Sequence, residues 1–178
     1  EGFYICSACG AGFRKREKTH KTPYGQDCSG TLEQVSLGQE FVTDVLQLQF
    51  HPTPEGSIEP VWFAYSLAYA LVEGAAEVLE VPSTDLSVTV AHTEGCAVPP
   101  IVLYDNVPGG AGLVARLERE EMLKACLEAA QKRVSGSCGC EENTSCYGCL
   151  RSYRNQFAHQ HFQRGPVMKY LLENLLSK

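Results

Sequence analysis

The sequence predicts an α/β or α+β fold, a mixed sheet with packed helices that carries two cysteine-rich knuckles. Three observations lead there. Short β-branched or alternating segments, FVTDVLQLQF (41–50), DLSVTV (85–90) and IVLY (101–104), are interleaved with longer helical stretches. The chain has 178 residues, 44% of them hydrophobic, enough to bury a core without covalent staples. Its nine cysteines therefore call for a chemical reason, and most of them fall within residues 1–31 and 138–149.

The elements follow in order. Residues 1–31 are poor in apolar periodicity and rich in Cys, Gly and charge, which reads as a metal-pinned knuckle, with 32–178 as the α/β domain. The first strand, 41–50, ends at the turn-forming HPTPEGS. From 61 to 80 an apolar helix carries Glu73, Glu77 and Glu80 on one narrow stripe and is expected to be largely buried. Strands 85–90 and 101–104 flank a loop with His92, Glu94, Gly95 and Cys96. An amphipathic helix then spans 112–133, with Leu113, Leu117, Met122 and Leu127 facing the core. The closing helix has Pro166 near its first turn and Leu171, Leu172, Leu175 and Leu176 inward.

Net charge is −6 and the pI near 5.4, which argues against binding nucleic acid alone through bulk electrostatics. Two basic patches stand out locally: RKREKTHK (14–21), and the set Lys132, Arg133, Arg151, Arg154, Arg164 and Lys169 around the second cysteine group. Acid gathers in LEREEMLKACLE (117–128). The most apolar run, VWFAYSLAYALV (61–72), is too short to cross a bilayer. With no secretory signal and no initiator Met, the expectation is a fragment of a larger cytoplasmic protein.

Cys138, Cys140, Cys146 and Cys149 form CxC, five residues, then CxxC. Two close pairs on a short loop can wrap four thiolates around one Zn²⁺ with no ligand position left for water, a structural role. Two disulfides would need an oxidising compartment, and an iron–sulfur cluster would use the same ligands. At the N-terminus, Cys6 and Cys9 make a CxxC that His20 and Cys28 complete as a Cys3His set for a second zinc. Cys126 reads as a small core residue.

IVLYDNVPGGAGLVARL is a strand, a tight glycine turn and a helix start. It matches neither GxxxxGK[ST] nor GxGxxG, so it serves either close strand-to-helix packing or a nucleic-acid backbone. YDNVPGGAG, the following helix, CxC and then SCYGCLRSYRNQ with a nearby His159 together resemble the zinc-binding C-terminal domain of bacterial DEAD/DEAH-type helicases. These include the mitomycin-repair helicase type, and the same domain occurs in helicase-associated phage-defence proteins. The resemblance implies that the four C-terminal cysteines are zinc ligands and that the domain assists an ATP-driven motor. This chain has no Walker motif and no motor sequence.

The sequence thus points to an accessory module without catalysis of its own. It would dock on a helicase motor, in cis or on a helicase subunit in trans, and help guide DNA. Arg151, Tyr153, Arg154 and His159 are the candidate contacts, because guanidinium groups pair with phosphates and tyrosine stacks on bases. Two other classes compete with it. A metal-dependent nuclease or hydrolase would gather Asp44, Asp85, Glu94 and Asp105 around Mg²⁺. A pure protein-docking module would fit the acidic balance.

Overall fold

A computed structural model describes residues 2–36, 38, 40–50, 58–91 and 95–176. The HPTPEGS turn, His92 and Glu94 lie outside the described residues, as do the side chains of Leu175 and Leu176. The chain divides into two compact units, Glu1–Glu40 and Phe41–Lys178.

The first unit is built from five short strands: β1 (Phe3–Cys6), β2 (Gly12–Phe13), β3 (His20–Lys21), β4 (Asp27–Cys28) and β5 (Leu32–Val35). They form one sheet in the order β2-β1-β5 and a separate β3-β4 hairpin, all antiparallel. So few residues bury almost no apolar layer, and Cys6, Ala11 and Leu32 are its buried hydrophobic side chains. A unit of this kind depends on a staple.

The second unit is the helix-and-sheet fold that the alternation of strand and helix signals predicts. Its sheet holds β6 (Val45–Leu48), β7 (Leu86–Val90) and β8 (Ile101–Asp105) in the order β6-β8-β7, antiparallel throughout. β8 alternates as a half-buried central strand should, with Ile101, Leu103 and Asp105 buried and Val102 and Tyr104 half-buried. α1 (Pro60–Leu79) packs on β7 and on α2 (Glu120–Val134). Gly74 permits that helix pairing: a Cβ there would lie 2.5 Å from Cys126 O and 2.8 Å from Ala130 N. α3 (Arg164–Tyr170) adds Val167 and Tyr170 to the same core, alongside Phe63, Leu67, Leu71, Leu103, Leu117 and Phe162.

Three expectations change. The 41–50 strand contributes only Val45–Leu48 to the ladder, because Thr43 and Asp44 turn to the glycine loop. The helix expected at 112–133 is two pieces, a 3₁₀ segment Val114–Glu118 and then α2, separated by Arg119 in an extended conformation (φ −72°, ψ 126°). In the closing helix, which widens into a π-helical turn over Leu171–Leu176, Leu171 is fully buried but Leu172 is 43% exposed. One residue's rotation, about 100° in an α-helix, carries it off the buried face.

Candidate functional site

Strand pairing builds the N-terminal cluster. Antiparallel register sets His20 directly opposite Cys28, while Cys6 ends β1 and Cys9 follows in the turn. Cys6 Sγ lies 3.8 Å from Cys28 Sγ and Cys9 Sγ 3.5 Å from His20 Nε2, and all four ligand atoms fall within 4.8 Å of one another. Tetrahedral bonds of about 2.3 Å place sulfurs about 3.8 Å apart, so the spacing suits one zinc ion. The Phe13 ring stands edge-on to the His20 imidazole at 5.3 Å and fixes its orientation. Amides of Ala8 and Gly30 donate to Cys6 Sγ and Cys28 Sγ, each at 3.4 Å. Position 30 must be glycine, since a Cβ would meet Cys6 Sγ at 2.5 Å. Burial would raise the Cys6 thiol, but hydrogen bonds from the backbone of Cys9 and Ala8 outweigh it and bring it down to about 6.

The C-terminal cluster has Sγ separations of 3.5 Å (Cys138–Cys140), 3.8 Å (Cys140–Cys149) and 3.9 Å (Cys146–Cys149), and all four sulfurs lie within 4.8 Å. These are ligand spacings around a single ion rather than disulfide bonds, which need about 2.05 Å. The thiols are unequal. The backbone at Cys140 brings Cys138 down to about 7, whereas burial pushes Cys149 up to about 12. The ion is bound by thiolates, so metal uptake releases protons and tightens as pH rises.

Two guanidinium groups grip this knuckle from behind. Arg164, buried, donates to Cys140 O through Nη2 (2.7 Å) and Nε (3.0 Å) and to Val134 O through Nη1 (3.3 Å). Arg133 Nε donates to Cys149 O at 3.1 Å while its Nη2 pairs with Glu73 at 3.3 Å. Four thiolates around Zn²⁺ carry two net negative charges; Arg164 lies beside Cys140 where it offsets them, while the charge of Arg133 is met by Glu73. The sequence places both arginines in a basic patch; the structure gives them to the metal loop.

The four candidate contacts separate. Arg151 braces the cysteine loop, with Nε donating to Ser145 Oγ (3.0 Å) and Nη2 to Thr144 Oγ1 (3.4 Å). His159 Nε2 meets two acceptors, Asn155 Oδ1 (2.8 Å) and Ser152 O (3.0 Å), and so carries the proton as a donor. Arg151 and His159 are thus engaged within the fold. Arg154 lies on the surface with one bond, Nη1 to Thr84 O at 3.1 Å, and Tyr153 is 85% exposed. Asn155, buried at the kink of the 3₁₀ segment Tyr153–Ala158, ties His159 to the chain on either side of Arg151: it also accepts from Ser152 N (2.7 Å) and donates to Leu150 O (2.8 Å). Its role has no signal in the sequence.

The glycine loop points its amides inward. Asp105, fully buried, accepts from Ala111 N and Leu113 N through Oδ2 and from Val114 N through Oδ1, at 2.8–2.9 Å, and Asp44 takes Gly112 N at 2.9 Å. A Cβ at Gly110, φ +75°, would collide with Asp44 Oδ2. This is the packing role rather than a phosphate cradle. Asp44 and Asp105 do approach the same loop, but Asp85 joins neither, Glu94 lies outside the described residues, and no three carboxylates form a metal-binding group among those described.

Residues 67–150, a stretch that contains all four C-terminal cysteines, match the MrfA Zn-binding domain family. The chain is 25% identical, over 99% of its length, to the Druantia protein DruE of Escherichia coli (strain UMEA 4076-1), and spans 11% of that protein. The crystal structure of the DUF1998 helicase MrfA bound to DNA has the same fold, with a TM-score of 0.55 over 84% of this chain and 19% of that one, at 18% identity. The chain therefore spans a small part of either protein. The resemblance carried by YDNVPGGAG and SCYGCLRSYRNQ is borne out, and the two ligand sets fit zinc.

Proposed function

We propose that this chain is a structural-zinc accessory domain of a DNA helicase or helicase-associated defence protein, docking on the motor and helping to guide an unpaired strand. The observation that carries the reading is the Cys138, Cys140, Cys146 and Cys149 set, four ligands for one ion, within the stretch that matches the MrfA Zn-binding domain family. A metal with four protein ligands builds a surface and performs no hydrolysis. The motor lies on the same polypeptide or on a partner subunit, and the assembly works in the cytoplasm. Among the described residues no helix is long and apolar enough to cross a membrane.

Arg154 and Tyr153 are the strand contacts of this reading, with Arg151 and His159 holding the segment that presents them. In the helicase that carries this domain, Arg154→Ala is expected to keep both zinc ions and to weaken single-strand binding or unwinding, by an amount that shrinks as salt rises. Normal unwinding at low salt with zinc retained would remove strand guidance and leave docking on the motor as the domain's role.

A further inference from the structure

A cleft of about 350 Å³ opens beside Tyr153 and Arg154. Its walls come from three elements: Tyr69 on α1, Ser87 and Val88 on β7, and Tyr153 with Arg154 at the start of the 3₁₀ segment, while Ser83 adds a hydroxyl. That is an apolar slot with a few polar groups at its edge and one guanidinium on its rim, the composition of a small-ligand site. β7 is an edge strand, and among the described residues no further strand pairs with it.

The slot continues into a row of rings. Trp62, Tyr65 and Tyr69 recur at i, i+3 and i+7 on one face of α1. The 153–162 segment lays its own rings against that face. Phe157 stands edge-on to Tyr65 at 5.7 Å, and His161 stacks flat on Trp62 at 3.8 Å and 5°. Phe157 is nevertheless 61% exposed and Tyr153 85% exposed. Burial does not explain a Phe157 ring that meets Tyr65 and is still largely open, or the open ring of Tyr153.

Charge selects the occupant. Residues 143–172 hold not one acidic side chain, in a chain of net charge −6, and the cation of that stretch that lines the cleft is Arg154. The acid that lines the cleft, Glu73, is paired with Arg133. Aromatic faces beside a cation in an acid-free stretch suit a polyanion whose units carry flat rings, which describes an unpaired nucleic-acid strand.

We infer that the Tyr69–Tyr153–Arg154 cleft receives one unstacked nucleobase, with Arg154 on its phosphate, and that Phe157 stacks the next base along the strand. The inference rests on the strand-guiding role proposed above and gives it an address. The test is ultraviolet crosslinking of the zinc-loaded chain to a single-stranded 5-bromouracil oligonucleotide at low salt, with the crosslinked residues mapped by mass spectrometry. Quenching of Trp62, the only tryptophan, supplies the affinity.

Crosslinks at Tyr153, Tyr69 or Phe157 are expected. Tyr153→Ala and Phe157→Ala should each weaken binding on the order of tenfold, while Tyr153→Phe, which keeps the ring, binds as the parent does. Zinc content should stay unchanged in all three variants, and the thermal midpoint in both variants of Tyr153, whose ring is 85% exposed. Strand binding with crosslinks elsewhere and no effect of the alanine variants would overturn the cleft and leave strand guidance standing. Absence of any crosslink would overturn the cleft, and strand guidance then stands or falls on Arg154→Ala in the assembled helicase. A motor protein that shields Tyr153 and Phe157 from crosslinking would identify a protein-docking face instead.

Discussion

Asp105 illustrates how much a single side chain decides. Wholly buried, it accepts three backbone amides from the turn that follows it, and Thr43 Oγ1 donates to its own carbonyl at 2.8 Å. Asp105→Ala would leave three inward amides without an acceptor, each worth about 1 kcal/mol or more, so a loss of roughly 3 kcal/mol is expected in denaturant unfolding monitored by circular dichroism. An unchanged midpoint would mean that the loop has other partners. In the sequence, an aspartate before PGGAG reads equally as a turn former, because glycines carry no mark of which way their amides face. The cysteines were legible for the opposite reason: ligand chemistry restricts spacing so tightly that CxC and CxxC announce themselves. His20 was legible only as the completing member of a set, and the β3-β4 register, which places it across from Cys28, supplies the geometry that spacing lacks. Arg164 and Asn155, which bond to main-chain carbonyls, had no counterpart motif to reveal them.

Elements were legible where periodicity is long and misread where tertiary bonds override it. The helix expected at 61–80 was read as largely buried with a glutamate stripe, yet the Trp62, Tyr65 and Tyr69 face is only half-buried, since aromatic residues satisfy the periodicity of a core and of a platform alike. Asp105 holds the amides of Ala111, Leu113 and Val114 where the 3₁₀ segment starts, and α2 begins separately after the extended Arg119. Between α2, the cysteine loop and α3 the fastening is Arg164, whose backbone N–H also donates to Thr144 O while Gly165 N donates to Glu142 O. Arg164→Met fills the space but forfeits charge-assisted bonds to Cys140 O and Val134 O, for an expected loss of about 3 kcal/mol. It should also speed removal of the C-terminal zinc by a chelator while the N-terminal zinc leaves at its usual rate. Equal rates for both ions in this variant would show that the knuckle does not depend on α3.

Across the whole molecule, the division of labour is between a small unit that lacks a core and a larger one that has one. The 40-residue unit cannot bury enough to stand alone and is expected to fold only with its ion, whereas the second unit uses zinc to shape one end of an existing core. Net charge of −6 described the average and hid the acid-free stretch 143–172, a distribution visible in the sequence once the cysteine loop is placed beside it. The exposure of Tyr153 and the engagement of Arg151 could not be read there, because both follow from how the loop closes around its metal. Elemental analysis of the purified chain tests that closure. Two equivalents of zinc per chain are expected, falling to one in Cys146→Ser and to one in Cys9→Ser. Iron in place of zinc, a metal-free folded chain, or two equivalents retained by either variant would contradict the account.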